Sequence, residues 1–155
     1  MKKEISIIYI IKKDKKDKNE FGNVLNFLLS KINKWSYLEY YREKEILRFK
    51  ASFLEIPNSN IYASCVEGKE YFAYIITIKN KQFAADFLEK NKFKLKLLML
   101  DAYKYLDYSY AYVDNLSAQD ILIEDSLKNE HCISIDVSNV NGNEILWTKY
   151  GKDCV

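Results

Sequence analysis

Residues 4–11 read Glu-Ile-Ser-Ile-Ile-Tyr-Ile-Ile. The run is too short for a good helix, and its isoleucines fall at both odd and even positions. A strand built this way has two apolar faces, so it belongs inside a sheet, not at its margin. No other segment restricts the fold so strongly.

The remaining pattern supplies partners for that strand. Residues 45–54 alternate, with Leu47, Phe49, Ala51 and Phe53 on one face and Arg48, Lys50 and Ser52 on the other. Pro57 to Asn60 reads as a turn. Residues 61–66 and 70–78 are two more strands, separated by a reversal at Glu67-Gly68-Lys69, and an antiparallel meander accounts for all three. The clearest helix spans 20–34, where Phe21, Val24, Leu25, Leu28, Leu29 and Ile32 recur at offsets of three and four. Asp17 and Asn19 are its candidate N-caps, and Lys12 to Lys18 is a charged loop before it. Asn80 can cap a second helical region that carries Phe83, Ala84, Phe87 and Leu88 on one face. Asn91 interrupts it, and a further helix covers 94–106.

Residues 108–113 form a strand in which Ser109, Ala111 and Val113 face the core. Tyr108, Tyr110 and Tyr112 then face outward or into a groove. Ser117 with Asp120 marks a short helix start. The chain closes with a hairpin, 131–138 and 144–150, around Asn141-Gly142. The expected fold is α+β: one domain over residues 1–155, an antiparallel sheet with helices packed mainly on one face.

Charge is ordered along the chain. Residues 1–50 hold 13 Lys/Arg against 7 Asp/Glu, and residues 101–155 hold 4 against 10. The local sums of +6 and −6 flank a middle third at +2, although the whole chain carries only +2. A polarised surface suits a charged partner. The acidic third also holds Tyr103, Tyr105, Tyr108, Tyr110 and Tyr112, a residue type favoured at interfaces for its large contact area and few rotors. The candidate partner-binding residues are therefore Asp101, Tyr105, Asp107, Tyr108, Tyr110, Tyr112, Asp114, Asp120 and Glu124. A core role for the tyrosines is the competing assignment.

Chemistry finds little support. His131 and Cys132 are neighbours on a strand and point to opposite faces, which argues against a shared metal. No local signature sets Cys65 or Cys132 beside the single histidine. The four glycines form no phosphate cradle. The acidic residues of 101–125 match no calcium loop. No catalytic residue, metal site or cofactor is expected. Lys12 to Lys18 is diluted by Asp14 and Asp17 and lacks interleaved aromatics, which argues against nucleic acid. Three cysteines without regular spacing fit a reducing compartment. No stretch approaches a membrane span and no cleavage site follows the first apolar run, so a soluble, cytoplasmic chain is expected.

Chain size, a composition heavy in Lys, Asn, Ile and Tyr, the stretch Asp101 to Asp114, and the segment Gly142-Asn143-Glu144-Ile145-Leu146-Trp147 carry one resemblance. The chain resembles the small bacterial immunity proteins of polymorphic toxin and contact-dependent inhibition systems. The resemblance implies a compact α+β antidote without catalytic residues that blocks a cognate protein toxin by binding it. Many such toxins are nucleases with basic clefts, which an acidic, tyrosine-bearing surface would fit. Two other functions remain open: a metal-dependent enzyme using the acidic residues of 101–125, and a nucleic-acid-binding module using Lys12 to Lys18. A structural subunit with Trp35 and Trp147 at its interfaces is the bland alternative.

Overall fold

The computed structural model describes residues 4–18, 20–32, 35–114 and 133–136. Its elements run β1 (Glu4–Lys12), a 3-10 turn (Lys13–Lys18), α1 (Phe21–Lys31), β2 (Ser36–Tyr41), β3 (Ile46–Phe53), β4 (Ile56–Glu67), β5 (Tyr71–Lys79), α2 (Phe87–Lys90), α3 (Lys92–Ala102), β6 (Tyr110–Asp114) and β7 (Ile133–Asp136). Among the described residues the strands make one seven-stranded sheet in the order β2-β3-β4-β5-β1-β6-β7. Every pairing is antiparallel. The fold is α+β, and the isoleucine strand lies between β5 and β6 as its two apolar faces require.

Alternation along β1 divides its side chains between two cores. Ile5, Ile7, Tyr9 and Ile11 enter the main core, which also takes Phe21, Val24, Phe27 and Leu28 of α1 and Leu95, Met99 and Ala102 of α3. Ile8 and Ile10 enter a smaller core on the opposite face with Ala73, Ile75 and Tyr112. The buried apolar residues of all three described helices belong to the main core, so these helices share one face. Ser6, on the second face, is fully buried and its hydroxyl lies 3.0 Å from that of Thr77. That contact resolves the one polar position in an otherwise apolar strand.

The meander of β3, β4 and β5 is present, but its first turn sits earlier than Pro57–Asn60. Phe53 pairs with Ile56 across a two-residue turn made by Leu54 and Glu55, both at positive φ (48° and 71°). Positive φ at both central residues gives the turn whose twist matches the flanking strands. Pro57 lies inside β4, at a register shift between Ala51 and Phe53, next to Asn58 at φ 58°. A bulge tolerates proline because no ladder N–H is needed there. Asn80 braces it: its Nδ2 donates to the Pro57 carbonyl and lies 2.9 Å from the Ser59 hydroxyl. The same side chain accepts from the Gln82 N–H, a turn and not a helix cap.

Other differences are local. The charged loop is a 3-10 turn. Helix α1 begins at Phe21 with Glu20 at its N-cap and no side-chain cap bond; Asn19 lies outside the described residues. The second helical region shrinks to the single turn Phe87–Lys90, and α3 starts directly after Asn91 and ends at Ala102. Of the closing hairpin, β7 is present and pairs with β6. Its turn and return strand, and the helix start at Ser117, lie outside the described residues. Strand β2 has no counterpart among the expected elements. Among the described residues no helix is long and apolar enough to cross a membrane.

Candidate functional site

Of the nine expected partner-binding residues, the seven that are described do not form one patch. Asp101, on α3, lies with Oδ2 3.0 Å from Lys31 Nζ of α1. Tyr105 is half-buried, its ring 5.7 Å from that of Phe27. Asp107 pairs with Lys15 at 3.0 Å and accepts from the Tyr103 hydroxyl at 3.3 Å. Tyr110, Tyr112 and Asp114 sit on the other face of the sheet, opposite Ile10, Ile8 and Ser6. Asp120 and Glu124 lie outside the described residues. The sheet therefore separates Asp101 and Tyr105 from the Tyr110–Asp114 side chains.

The outward placement of Tyr108 and Tyr112 is corrected. Tyr108 is 1 % exposed and donates its hydroxyl hydrogen to the Met99 carbonyl at 2.6 Å. It precedes β6, so strand alternation does not govern it. Burial raises its phenol above the ordinary value, with a smaller contribution from Tyr103. Tyr112 does alternate with Ala111, but its face is the small second core and it is fully buried. Tyr110 is half-buried beside it, with ring centroids 5.9 Å apart. Ala111 and Val113 are core residues as expected.

Lys13, Lys15 and Lys16 of the 3-10 turn are engaged within the molecule. Lys16 Nζ lies 2.8 Å from Glu67 and 3.9 Å from Glu45, and Lys13 lies 3.5 Å from Glu67. The Lys16–Glu67 hydrogen bond is the main cause that raises the lysine and lowers the carboxyl. Beside them, a pocket of about 450 Å³ is lined by Lys16, Glu20, Arg42, Glu45 and Tyr74. Cys65 is near: burial first, and then a hydrogen bond with Glu45, push its thiol far above the ordinary value. A thiol held protonated is a poor nucleophile. Among the described residues, no three His, Cys, Asp or Glu side chains gather as metal ligands.

Another open site lies on the sheet face opposite the described helices, over β3, β4 and β5. It is a groove of about 830 Å³. Strand register builds its floor in two rows. Lys50, Asn60, Lys79 and Glu4 are successive Cα partners across β3, β4, β5 and β1. Arg48, Tyr62, Thr77 and Ser6 form the next row. The Arg48 guanidinium stands over the Tyr62 ring, 5.3 Å from its centroid. Lys79 lies 3.4 Å from Glu4.

Edge strand β2 forms the lip. A register shift between Ser36 and Glu39 puts Tyr37 at φ 55° and leaves it 81 % exposed. Trp35 and Tyr41 are exposed as well, and Lys44 Nζ is 5.8 Å from the Tyr41 ring centroid. The bulge and the exposed edge explain why sequence periodicity passed over this strand: its side chains follow no clean alternation. The cationic floor was visible, because Arg48 and Lys50 occupy the polar face of an alternating strand. No protein-family model, curated protein or solved structure matches the chain.

Proposed function

We propose that this chain is a stoichiometric binding protein of the immunity class, acting in the bacterial cytoplasm by occupying a cognate protein toxin. The observation that carries this reading is the aromatic and cationic end of the sheet: exposed Trp35, Tyr37 and Tyr41 at edge strand β2, with Tyr37 and Arg48 lining one groove. Tryptophan, tyrosine and arginine are the types that dominate binding energy at protein interfaces. A positive φ at the most exposed of these rings is a local strain of the kind found at functional positions. The acidic route to a basic nuclease cleft loses its continuous patch, because the tyrosines are largely buried and Asp101 and Asp107 are lysine-paired.

The test is co-expression with the C-terminal domain encoded by the gene immediately upstream. Restored growth and a 1:1 complex on size exclusion with light scattering are expected. Trp35→Ala, Tyr37→Ala or Tyr41→Ala should weaken the complex about tenfold, as hot-spot truncations do. Absence of both complex and protection overturns the reading. Selective thermal stabilisation by magnesium, calcium or manganese would instead favour the metal-dependent enzyme, since only a folded-state ligand raises stability this way.

A further inference from the structure

We propose that the groove over β3, β4 and β5 receives an extended acidic segment of the partner protein, with Arg48, Lys50 and Lys79 as its carboxylate anchors. This assignment rests on the binding reading above and names the chemistry of the partner. Three cations and one carboxylate, Glu4, occupy the groove floor. Lys50 has no ion pair among the described residues, and Lys79 shares its charge with Glu4 at 3.4 Å.

Spacing matches the occupant. Arg48 and Lys50 are two residues apart on one strand, which places them ~7 Å apart along it. Lys50 and Lys79 are two strands apart in the same row, roughly 10 Å. An extended peptide presents alternate side chains on one face at the same ~7 Å interval. Glutamates at alternate positions would therefore meet Arg48 and Lys50 in turn. The guanidinium can take one carboxylate through two parallel hydrogen bonds. Asn60, in the Lys50–Lys79 row, adds an amide that both donates and accepts.

A single-stranded nucleic acid offers anions at comparable spacing, but it also needs free ring faces for its bases. At the centre of this groove the Tyr62 ring already carries the Arg48 guanidinium. On the groove floor that arrangement favours carboxylates over bases, and the exposed Tyr37 ring at the lip makes the nucleic-acid probe a necessary arm of the test. Long-range attraction between the cationic floor and an acidic segment would also speed encounter and fall with salt.

The experiment uses fluorescence anisotropy with two probes of equal charge: a labelled peptide alternating glutamate and threonine with six glutamates, and an oligothymidylate with six phosphates. The peptide is expected to bind at low salt and to weaken as salt rises. Arg48→Gln with Lys50→Gln should weaken it at least about tenfold, and Lys79→Gln several-fold. Lys94→Gln with Lys104→Gln, of equal charge change on the helical side, should leave it unchanged. All these side chains are exposed, so melting temperatures of the variants should match the parent. Failure of the peptide to bind, or equal loss in the control pair, overturns the groove assignment. Tighter binding of the oligothymidylate overturns it in favour of nucleic acid. The two readings fail separately. Neutralisation of the toxin with full affinity in the Arg48/Lys50 variant removes the groove alone. Peptide binding without neutralisation removes the immunity role alone.

Discussion

Tyr9 and Tyr108 lie side by side in the main core, ring centroids 5.2 Å apart, but their hydroxyls are served differently. Tyr108 donates to the Met99 carbonyl; among the described residues the buried Tyr9 hydroxyl has no hydrogen-bond partner. A buried hydroxyl left unpaired costs more than the net gain of a paired one. Tyr108→Phe should therefore lose about 1 kcal/mol, while Tyr9→Phe should be neutral or gain up to about 1 kcal/mol. Denaturant midpoints with unchanged slopes would check both, and equal losses in the two variants would contradict the assignment. The tyrosine run also shows how far single residues could be read. Alternation placed Ala111 and Val113 inward correctly. It misplaced Tyr112 because the outward side of β6 is not solvent: Tyr112 stands opposite Ile8, which is itself buried. The two-faced apolar strand at 4–11 already implied this, since whatever pairs with its centre must also be covered on both sides. Tyr108 was out of reach, because its position depends on where β6 begins.

Elements were legible where their period was undisturbed and were lost where a bulge broke it. Strands β1, β3 and β5 and helix α1 appear within one to three residues of their expected ends. β4 was cut short because Pro57 and Asn58 read as a turn, when they form a bulge inside a twelve-residue strand. The true turn, Leu54-Glu55, carries no glycine or asparagine although both residues stand at positive φ. An L-residue with a Cβ pays about 1–2 kcal/mol in that region, asparagine less and glycine almost none. Leu54→Asn with Glu55→Gly should accordingly stabilise the protein by about 1 kcal/mol. A higher urea midpoint with the same slope is the expected outcome, and an unchanged or lower midpoint would show that Leu54, which packs partly against the main core, contributes more than its backbone costs. Helix α3, expected over 94–106 from helical spacing, runs from Lys92 to Ala102. Leu95, Met99 and Ala102 are buried, but Phe93 and Leu97 are exposed on the same helix. Phe93→Glu or Leu97→Glu should change stability by no more than about 0.5 kcal/mol, checked by thermal melting.

At the scale of the molecule, part of the charge order is turned inward. Lys15–Asp107 and Lys31–Asp101 join the basic first third to the acidic last third, and such surface pairs are worth about 0–1 kcal/mol each. The sum along the sequence was correct; what it could not show was which charges would meet, because that depends on α1 lying within reach of α3. The pH response follows from burial more than from these pairs. Tyr9, Tyr74, Tyr108 and Cys65 all have acid groups pushed upward, chiefly by burial. Each is uncharged when protonated, and the folded state keeps the proton at a pH where the unfolded chain has released it. The unfolded state then binds fewer protons, so stability falls as pH rises. The contribution is complete below the ordinary thiol value and is lost from about pH 9 upward as the unfolded thiol and phenols ionise. Each group adds a slope of about 1.4 kcal/mol per pH unit, and four together roughly 5 once all are ionised in the unfolded chain. Urea midpoints between about pH 8 and 11 should therefore drop steeply. Tyr9→Phe with Tyr108→Phe should remove about half of that slope. Phenolate absorbance of the buried rings should appear in one cooperative step that coincides with unfolding. A smooth rise of those phenolates well before the fold is lost would mean that these rings are open to water.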